Sequence, residues 1–282
     1  MSEPASSSVP SAPRADGMRI VVPPPLPLRG PLLAFGLDAL LALVMMFALM
    51  MACYFGWALW RGVRLAMQHD GALAPDALAA QLGAPGALVL IVMTLISMGC
   101  TSLLLYVWRR RATPAERAHS FAAARRFRTW AWVLAAGVAT FLLSSLLTWC
   151  GRRLGLEPNP SNLALIEAGF AQYPVFLSLF VVVLAPLYEE VLFRRVLFGR
   201  LWAAGWPVLG VALSSAVFAL MHEIPGLTGN PPLTTVFLLA VYVAMGAVFA
   251  VVYRHTGTLW APIGAHMLNN ALALGMLQAS GG

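Results

Sequence analysis

The sequence predicts an all-α fold, a polytopic membrane helix bundle with about seven transmembrane helices and short interfacial helices. The first observation is composition: 60% of the 282 residues are hydrophobic and 10% are charged, whereas soluble domains carry about 25% charged residues. The second is clustering, because the apolar residues form blocks of roughly 20, the length that crosses the hydrocarbon core of a bilayer. Since backbone polar groups in lipid must pair within the segment, each block is predicted to be a helix.

The predicted spans follow one another along the whole chain. They cover about residues 32–60, 87–108, 129–150, 174–192, 207–222, 233–253 and 258–278. The fourth span is expected to continue as a helix to about residue 204. Short helices outside the spans are predicted within 65–86, 112–128 and 161–172, of which the second is expected to be amphipathic and interfacial.

The chain is predicted to have three regions. Residues 1–28 are rich in Ser, Pro and Ala and lack a cleavable apolar core, so we expect a disordered or extended tail and not a signal peptide. Residues 29–160 hold the N-terminal transmembrane helices, and residues 161–282 form a C-terminal membrane region with the candidate site. Cys53, Cys100 and Cys150 lie in or at the ends of spans, where we expect packing residues and no disulfide.

All 18 basic residues are arginines, and the formal net charge is +7. An excess of positive charge can indicate a nucleic-acid partner, but the placement of these arginines argues against one. Seven lie together between the second and third spans: Arg109, Arg110, Arg111, Arg117, Arg125, Arg126 and Arg128. A connection this basic stays in the cytoplasm under the positive-inside rule. The expected partner is therefore a lipid bilayer and not a nucleic acid.

Orientation follows by alternation from this basic connection. The N-terminus is expected in the cytoplasm, and the connections 61–86, 151–173 and 223–232 are expected outside together with the C-terminus. The use of arginine without lysine, beside abundant Ala, Gly, Leu and Pro, is typical of a GC-rich bacterial genome. We therefore expect an integral protein of the bacterial cytoplasmic (inner) membrane.

Polar residues inside the spans collect in the C-terminal half. They are Glu189, Glu190, Arg194, His222, His266, Asn269 and Asn270, with Asp38 as an outlier in the first span. Ionisable residues at membrane depth are costly and mark functional sites. The acidic pair follows 15 residues that carry no charge, so it is the most informative feature of the chain.

Helical geometry separates the two adjacent glutamates. Glu190 and Arg194 are four residues apart with the glutamate first, which is the favourable order for an ion pair. Glu189 is turned away by about 100° and is expected to face the bundle interior. Pro186 predicts a kink just before the pair and room for water beside Glu189. The alternative interpretation of Glu190 is an ion pair that only locks helices together.

The next spans bring two histidines toward the glutamates. If the fourth and fifth spans form a hairpin around Gly205, His222 lies level with Glu189, and Phe218 covers the same face. In the last span His266 and Asn270 are four residues apart and share a face. The alternative is that these polar residues are interhelical hydrogen-bond partners, which stabilise membrane bundles modestly.

This set of residue types is suited to hydrolysis of an acyl bond. Glu189 could take a proton from water, and His222 could orient that water. His266 and Asn270 could donate hydrogen bonds to the developing oxyanion. Glu189, His222 and His266 also match the ligand types of a catalytic zinc site. The sequence leaves both versions open.

In this order and spacing, Glu189-Glu190-x-x-x-Arg194, Phe218-x-x-x-His222 and His266-x-x-x-Asn270 resemble the CPBP intramembrane proteases. That family includes the type II CAAX prenyl endopeptidases and bacterial enzymes linked to bacteriocin processing and immunity. The resemblance covers about residues 170–275. One departure is Arg195, which stands where many bacterial members have glycine and bears on substrate access.

The resemblance implies an intramembrane endopeptidase that cleaves a membrane-associated protein or peptide, with a lipid-modified substrate as one option. Glu189 would activate water, His222 would be its partner, and His266 and Asn270 would form the oxyanion site. Glu190 is implied as a second catalytic residue or as the support of this site.

Arg194 and Phe218 would be supporting residues in the same family. The family is described both as metalloproteases and as metal-free, glutamate-dependent enzymes. Two alternatives therefore remain open. Either Glu189, His222 and His266 hold a divalent metal such as zinc, or the enzyme uses no cofactor.

The alternative function is a non-enzymatic transporter or scaffold that uses the polar cluster for proton coupling or assembly. Transporters often contain inverted repeats with broken helices in both halves. The first three spans carry almost no polar residue at depth, so a repeat is not supported. Asp38 is the exception.

Overall fold

The computed structural model describes residues 24–68, 80–227 and 229–279, and within these ranges the regular secondary structure is helical, with no strand. Residues 24–28 precede the first helix without helical structure. The rest of the predicted tail, and residues 69–79 of the predicted helix within 65–86, lie outside the described residues.

The helices follow the predicted spans closely. They are α1 (Arg29–Gln68), α2 (Ala87–Arg109), α3 (Pro114–Ala124), α4 (Phe127–Arg153), α5 (Leu163–Gln172), α6 (Pro174–Ala203), α7 (Pro207–His222), α8 (Pro232–Thr256) and α9 (Trp260–Ala279). The prediction of an all-α bundle is confirmed. Helices α3 and α5 occupy the segments predicted as short helices at 112–128 and 161–172.

Among the described residues, five helices are long and apolar enough to cross a membrane: α1, α2, α4, α6 and α8. The two other predicted spans are present as helices but fall outside this set. Helix α7 has 16 residues and is about 24 Å long at 1.5 Å per residue, less than the roughly 30 Å of a hydrocarbon core. Its C-terminal residue, His222, can therefore lie below the membrane surface.

Helix α6 is the centre of the bundle and contacts α1, α2, α7, α8 and α9. Its residues from Leu192 to Phe198 are buried on every side of the helix. A helix that is buried all round belongs to a core, whereas α1 exposes large apolar side chains such as Phe47 and Phe55. The candidate catalytic pair lies on α6 and is therefore enclosed by other helices.

Two segments of α6 have the wider π-helical turn: Phe180–Leu184 and Val191–Phe198. They flank the α-helical stretch Ala185–Glu190, which contains Pro186 and the two glutamates. Proline has no backbone N–H to donate, so the hydrogen-bond register is disturbed there. Turns of this kind are rare in proteins as a whole, but those that occur are often found at functional sites.

Glycines let the helices around the site approach closely. A Cβ on Gly137 of α4 would lie 2.9 Å from the carbonyl oxygen of Ala265 in α9. A Cβ on Gly246 of α8 would lie 3.1 Å from Ser215 in α7. Small residues at helix interfaces replace the hydrophobic driving force that is missing in lipid. These contacts set α9 against α4 and α8 against α7.

Asp38, the polar outlier of the first span, is fully buried and bound by two arginines. Its Oδ1 lies 2.7 Å from Arg109 Nε, and its Oδ2 lies 2.6 Å from Arg200 Nη2. The residue therefore ties α1 to the ends of α2 and α6. The described cysteines Cys53, Cys100 and Cys150 are free thiols.

Candidate active site

Glu190 and Arg194 form an ion pair at the centre of the bundle, and both side chains are 0% exposed. Arg194 Nε lies 2.8 Å from Glu190 Oε2, and Nη2 donates to Oε1 at 3.3 Å. The guanidinium also lies over the rings of Phe193, Phe218 and Phe249, 5.0–5.9 Å from their centroids. A buried ion pair needs such additional partners to offset the loss of hydration.

His266 on α9 links the two glutamates. Its Nδ1 lies 3.1 Å from Glu190 Oε1, and its Nε2 lies 3.9 Å from Glu189 Oε2. A carboxylate paired with arginine accepts hydrogen bonds, so Nδ1 is the donor. In the neutral ring the lone pair is then on Nε2, which faces Glu189. Phe249 stacks on the imidazole with ring centroids 4.7 Å apart.

His222 at the end of α7 approaches Glu189 from a second side, with Nε2 3.8 Å from Oε2. Its Nδ1 lies 2.9 Å from the carbonyl oxygen of Phe218. A carbonyl only accepts, so Nδ1 carries the proton and the lone pair of the neutral ring is again on Nε2. The level predicted for His222 from the α6–α7 hairpin agrees with this distance.

Glu189 is thus the point on which two imidazoles converge. Its Oε2 is buried and has no hydrogen-bond partner among the described residues. Separations of 3.8 and 3.9 Å are too long for direct hydrogen bonds but suit a bridging group between the three atoms. The side chain of Glu189 is 11% exposed and that of His222 is 20% exposed. The arrangement can accept protons from a small donor such as water.

Asn270 is directed at the backbone of α6. Its Nδ2 donates to the carbonyl oxygen of Val181 at 2.9 Å, and its Oδ1 accepts from Asn269 Nδ2 at 3.0 Å. In the π segment, Ala185 donates to the carbonyl of Phe180, five residues earlier. The next donor in that pattern would be residue 186, which is a proline. Asn270 supplies the N–H that the proline lacks.

The structure therefore brings together most of the predicted site residues. Glu189, Glu190, Arg194, His222 and His266 form one connected cluster. Phe218 contacts three of them, because it lies against His222, His266 and Arg194.

Two aromatic residues of α8 were not predicted from the sequence. Tyr242 packs on the His222 ring with centroids 4.8 Å apart, and Phe249 stacks on His266. They are seven residues apart, which places both on one face of a helix. That spacing was the available signal, but an aromatic pair on an apolar helix is typical of ordinary packing.

The cluster has some features of a metal site. The donor types and the tautomers of Glu189, His222 and His266 are those of a zinc site, with each Nδ1 held by a second group. Ligands about 2.0–2.1 Å from zinc lie about 3.4 Å apart in a tetrahedron, whereas the separations here are 3.8 and 3.9 Å. Across the described ranges no group of three or more His, Cys, Asp or Glu side chains is placed to hold a metal ion. In this arrangement the three side chains lie a few tenths of an ångström farther apart than the ligands of one zinc ion.

Arg195, the departure from the family pattern, ties α6 to α3. Its guanidinium binds both carboxylate oxygens of Glu116, with Nη2 2.7 Å from Oε2 and Nη1 3.1 Å from Oε1. Its Nε donates to the carbonyl of Arg110 at 3.1 Å. The hydrogen bonds from Arg195 lower the pKa of Glu116 to about 2. An arginine at this position therefore holds the amphipathic helix α3 against the bundle.

Comparison with known proteins agrees with this geometry. Residues 171–272 match the family model described as type II CAAX prenyl endopeptidase, Rce1-like. The resemblance to CAAX-type membrane proteases is confirmed for this region. It contains all five residues of the connected cluster and Asn270.

Two curated relatives align with part of the chain. "Membrane-embedded CAAX protease MroQ" of Staphylococcus aureus (strain USA300) is 31% identical over 125 residues, which is 42% of this chain and 44% of the relative. "Putative membrane peptidase YdiL" of Bacillus subtilis (strain 168) is 30% identical over 92 residues, 33% of each chain. The alignments thus span less than half the length of either relative. No solved structure gives a significant match to the chain.

Proposed function

We propose that the chain is a membrane-embedded endopeptidase in which Glu189 activates water for the hydrolysis of a peptide bond. One observation carries the proposal: Glu189 Oε2 is buried and lies 3.8 and 3.9 Å from the Nε2 atoms of His222 and His266. A water between these groups would be within reach of a base and an orienting ring. The match to a CAAX-type protease model supports the same reaction.

In the proposed mechanism Glu189 removes a proton from water while His222 orients the oxygen. The resulting hydroxide attacks the carbonyl carbon of the scissile peptide bond. The proton on Glu189 then passes to the leaving amine as the carbon–nitrogen bond breaks. A carboxylate that acts first as base and then as acid balances the proton without a further group.

His266 and Asn270 are proposed to stabilise the oxyanion. Nδ1 of His266 is bonded to Glu190, so Nε2 is the ring atom proposed to contact the oxyanion. One N–H of Asn270 is used by Val181, and the amide has a second N–H to offer. Glu190 is proposed as a positioning residue, because Arg194 and His266 occupy its oxygens.

The proposed substrate is a membrane-associated protein or peptide, and a lipid-modified one is an option. The proposed location is the bacterial inner membrane, with the N-terminus in the cytoplasm. Asp38 does not support the alternative function of a transporter or scaffold. That residue is held by Arg109 and Arg200, and it is an interhelical tie with no free carboxylate oxygen.

The test is cleavage of a peptide library by the purified chain in detergent, with products identified by mass spectrometry. Glu189→Gln keeps the shape of the side chain but removes the base, so cleavage should fall by about 100-fold or more. The matched control is Glu167→Gln, which changes an exposed glutamate of α5. Undiminished cleavage by Glu189→Gln would refute the proposed base.

The same assay addresses the cofactor. The proposal routes no step through a metal, so prolonged chelation should leave the cleavage rate within about twofold of its starting value. Loss of cleavage on chelation, followed by recovery when zinc is restored, would instead assign Glu189, His222 and His266 as metal ligands.

A further inference from the structure

A cavity of about 920 Å³ lies on the face of α6 that points away from Glu189. Leu187 and Val191 line it, and they are four residues apart on one side of the helix. Glu189 lies between them in the sequence and therefore on the opposite side. The cavity is closed by α3, the C-terminal ends of α2 and α8, and the start of α9. It is separate from the candidate active site.

The charged lining of this cavity is almost entirely positive. It consists of Arg110, Arg117, Arg126, Arg195, Arg254 and Glu116. The single carboxylate is bound by Arg195, so it does not neutralise the others. In the described part of the chain, Arg126 and Arg254 form no ion pair. An anion would complete this lining.

Arg110 is one of these cations and is half-buried. Its Nη2 donates to the carbonyl of Gly199 at 3.0 Å, while its buried Nε has no hydrogen-bond partner among the described residues. A Cβ on Gly199 would lie 3.4 Å from Nη2, an ordinary van der Waals contact, so the guanidinium packs directly against this residue. Burial, together with the nearby Arg195 and Arg200, lowers the pKa of Arg110. The cavity lining thus contains several arginines and one buried N–H donor, Nε of Arg110, that has no acceptor among the described residues.

The remaining walls are apolar and aromatic. They include Leu187, Val191, Trp202, Leu259 and Ile263. Trp260 lies at the start of α9 and is 46% exposed, as expected for a tryptophan at the level of lipid headgroups. The cavity therefore combines a cationic end with apolar walls at one end of the membrane spans. That combination matches an anionic amphiphile better than a free ion.

We propose that this cavity binds the phosphate-bearing head of an anionic phospholipid, with the acyl chains against the apolar walls. The phosphate meets the guanidinium groups of Arg110, Arg126 and Arg254, which offer charged donors of the kind that phosphate prefers. Basic pockets between transmembrane helices at a membrane surface bind headgroups of this type. The lipid would hold α3 against α6 beside the Arg195–Glu116 contact. The site does not depend on the proposed proteolysis.

The first experiment titrates the full-length purified chain with phosphatidylglycerol or phosphatidylcholine and counts bound lipid by native mass spectrometry. We expect phosphatidylglycerol to bind about tenfold or more tightly than phosphatidylcholine. A parallel arm adds inorganic phosphate. Displacement of phosphatidylglycerol by millimolar phosphate, or equal binding of the two lipids, overturns the proposal.

The second experiment separates the cavity from general surface charge. Arg126→Gln combined with Arg254→Gln should weaken phosphatidylglycerol binding about tenfold or more. Arg125→Gln combined with Arg128→Gln removes the same charge from exposed arginines outside the cavity, and should change binding by less than about twofold. Equal losses in the two pairs would show that only the overall charge attracts the lipid.

A third comparison leaves every charge in place. Ala115 of α3 lines the cavity, whereas Ala118 of the same helix does not. Ala115→Trp should fill the space and weaken phosphatidylglycerol binding, and Ala118→Trp should not. Unchanged binding by Ala115→Trp contradicts the cavity as the binding site, provided the variant keeps its wild-type unfolding temperature.

Discussion

Adjacent glutamates on α6 have different surroundings, which supports the different roles proposed for them. Glu190 is fully buried and is bound by Arg194 and His266. Among the described residues, Oε2 of Glu189 accepts no hydrogen bond, and it faces two imidazoles. We therefore propose a structural role for Glu190 and the role of general base for Glu189. In the sequence, the only sign of this difference is the four-residue spacing from Glu190 to Arg194.

Glu190→Gln should destabilise the protein strongly, because it leaves the guanidinium of Arg194 buried without a counter-charge. Breaking a buried ion pair by removing one partner costs about 3–5 kcal/mol. Thermal unfolding in detergent should show a clearly lower midpoint for Glu190→Gln than for Glu189→Gln. Equal midpoints in the two variants would contradict the structural role of Glu190.

At the scale of elements, α6 is held in its π-helical form by a contact from α9. Pro186 removes one backbone donor, and Asn270 donates to the carbonyl of Val181 in its place. Asn270→Ala should therefore cost about 1–3 kcal/mol of stability, the usual penalty for a buried acceptor left without a donor.

The cause of that cost can be tested with a double-mutant cycle measured by unfolding midpoints. Pro186→Ala restores a backbone N–H in the turn. In that background Asn270→Ala should cost less than in the wild-type chain. Equal costs in both backgrounds would mean that the asparagine does not compensate for the proline.

The stabilisation from the contact between α3 and α6 should depend on pH only in the acidic range. The pKa of Glu116 is about 2 in the folded protein, below its ordinary value of about 4.3. A lowered pKa means that the stabilisation is present above about pH 4.3 and is lost as the pH falls toward 2. The Glu116 side chain is 44% exposed, so its contribution is expected to stay below about 1 kcal/mol.

Unfolding midpoints of the wild type and Glu116→Gln at several pH values check this expectation. Their difference should be constant from about pH 8 to pH 5 and should shrink below about pH 4. A difference that grows as the pH falls would exclude the Glu116–Arg195 contact as its source.

At the scale of the whole molecule, α6 separates two sites. One side carries the carboxylate and imidazole cluster, and the other side faces the arginine-lined cavity. Helices α7, α8 and α9 supply the partners of the first side, while α3 covers the second. The tie from Arg195 to Glu116 connects the two sides, because it fixes α3 to the helix that carries the proposed base.

The spans and part of the site could be predicted because they depend on local spacing. The i, i+4 relation gave the Glu190–Arg194 pair, and the short α6–α7 turn set the level of His222. Contacts between distant segments could not be predicted: Arg195 and Glu116 are 79 residues apart, and Asn270 and Val181 are 89 apart. A single sequence carries no signal for such pairs, since many polar residues could satisfy each one.

One kinetic comparison decides whether Glu189 acts as the catalytic base. The measurement is kcat/KM of Glu189→Gln on the best library peptide, with protein whose unfolding midpoint matches the wild type. Our account predicts a fall of about 100-fold or more, carried by kcat, because the lost interaction acts in the transition state. Wild-type kcat/KM in the folded variant would contradict it.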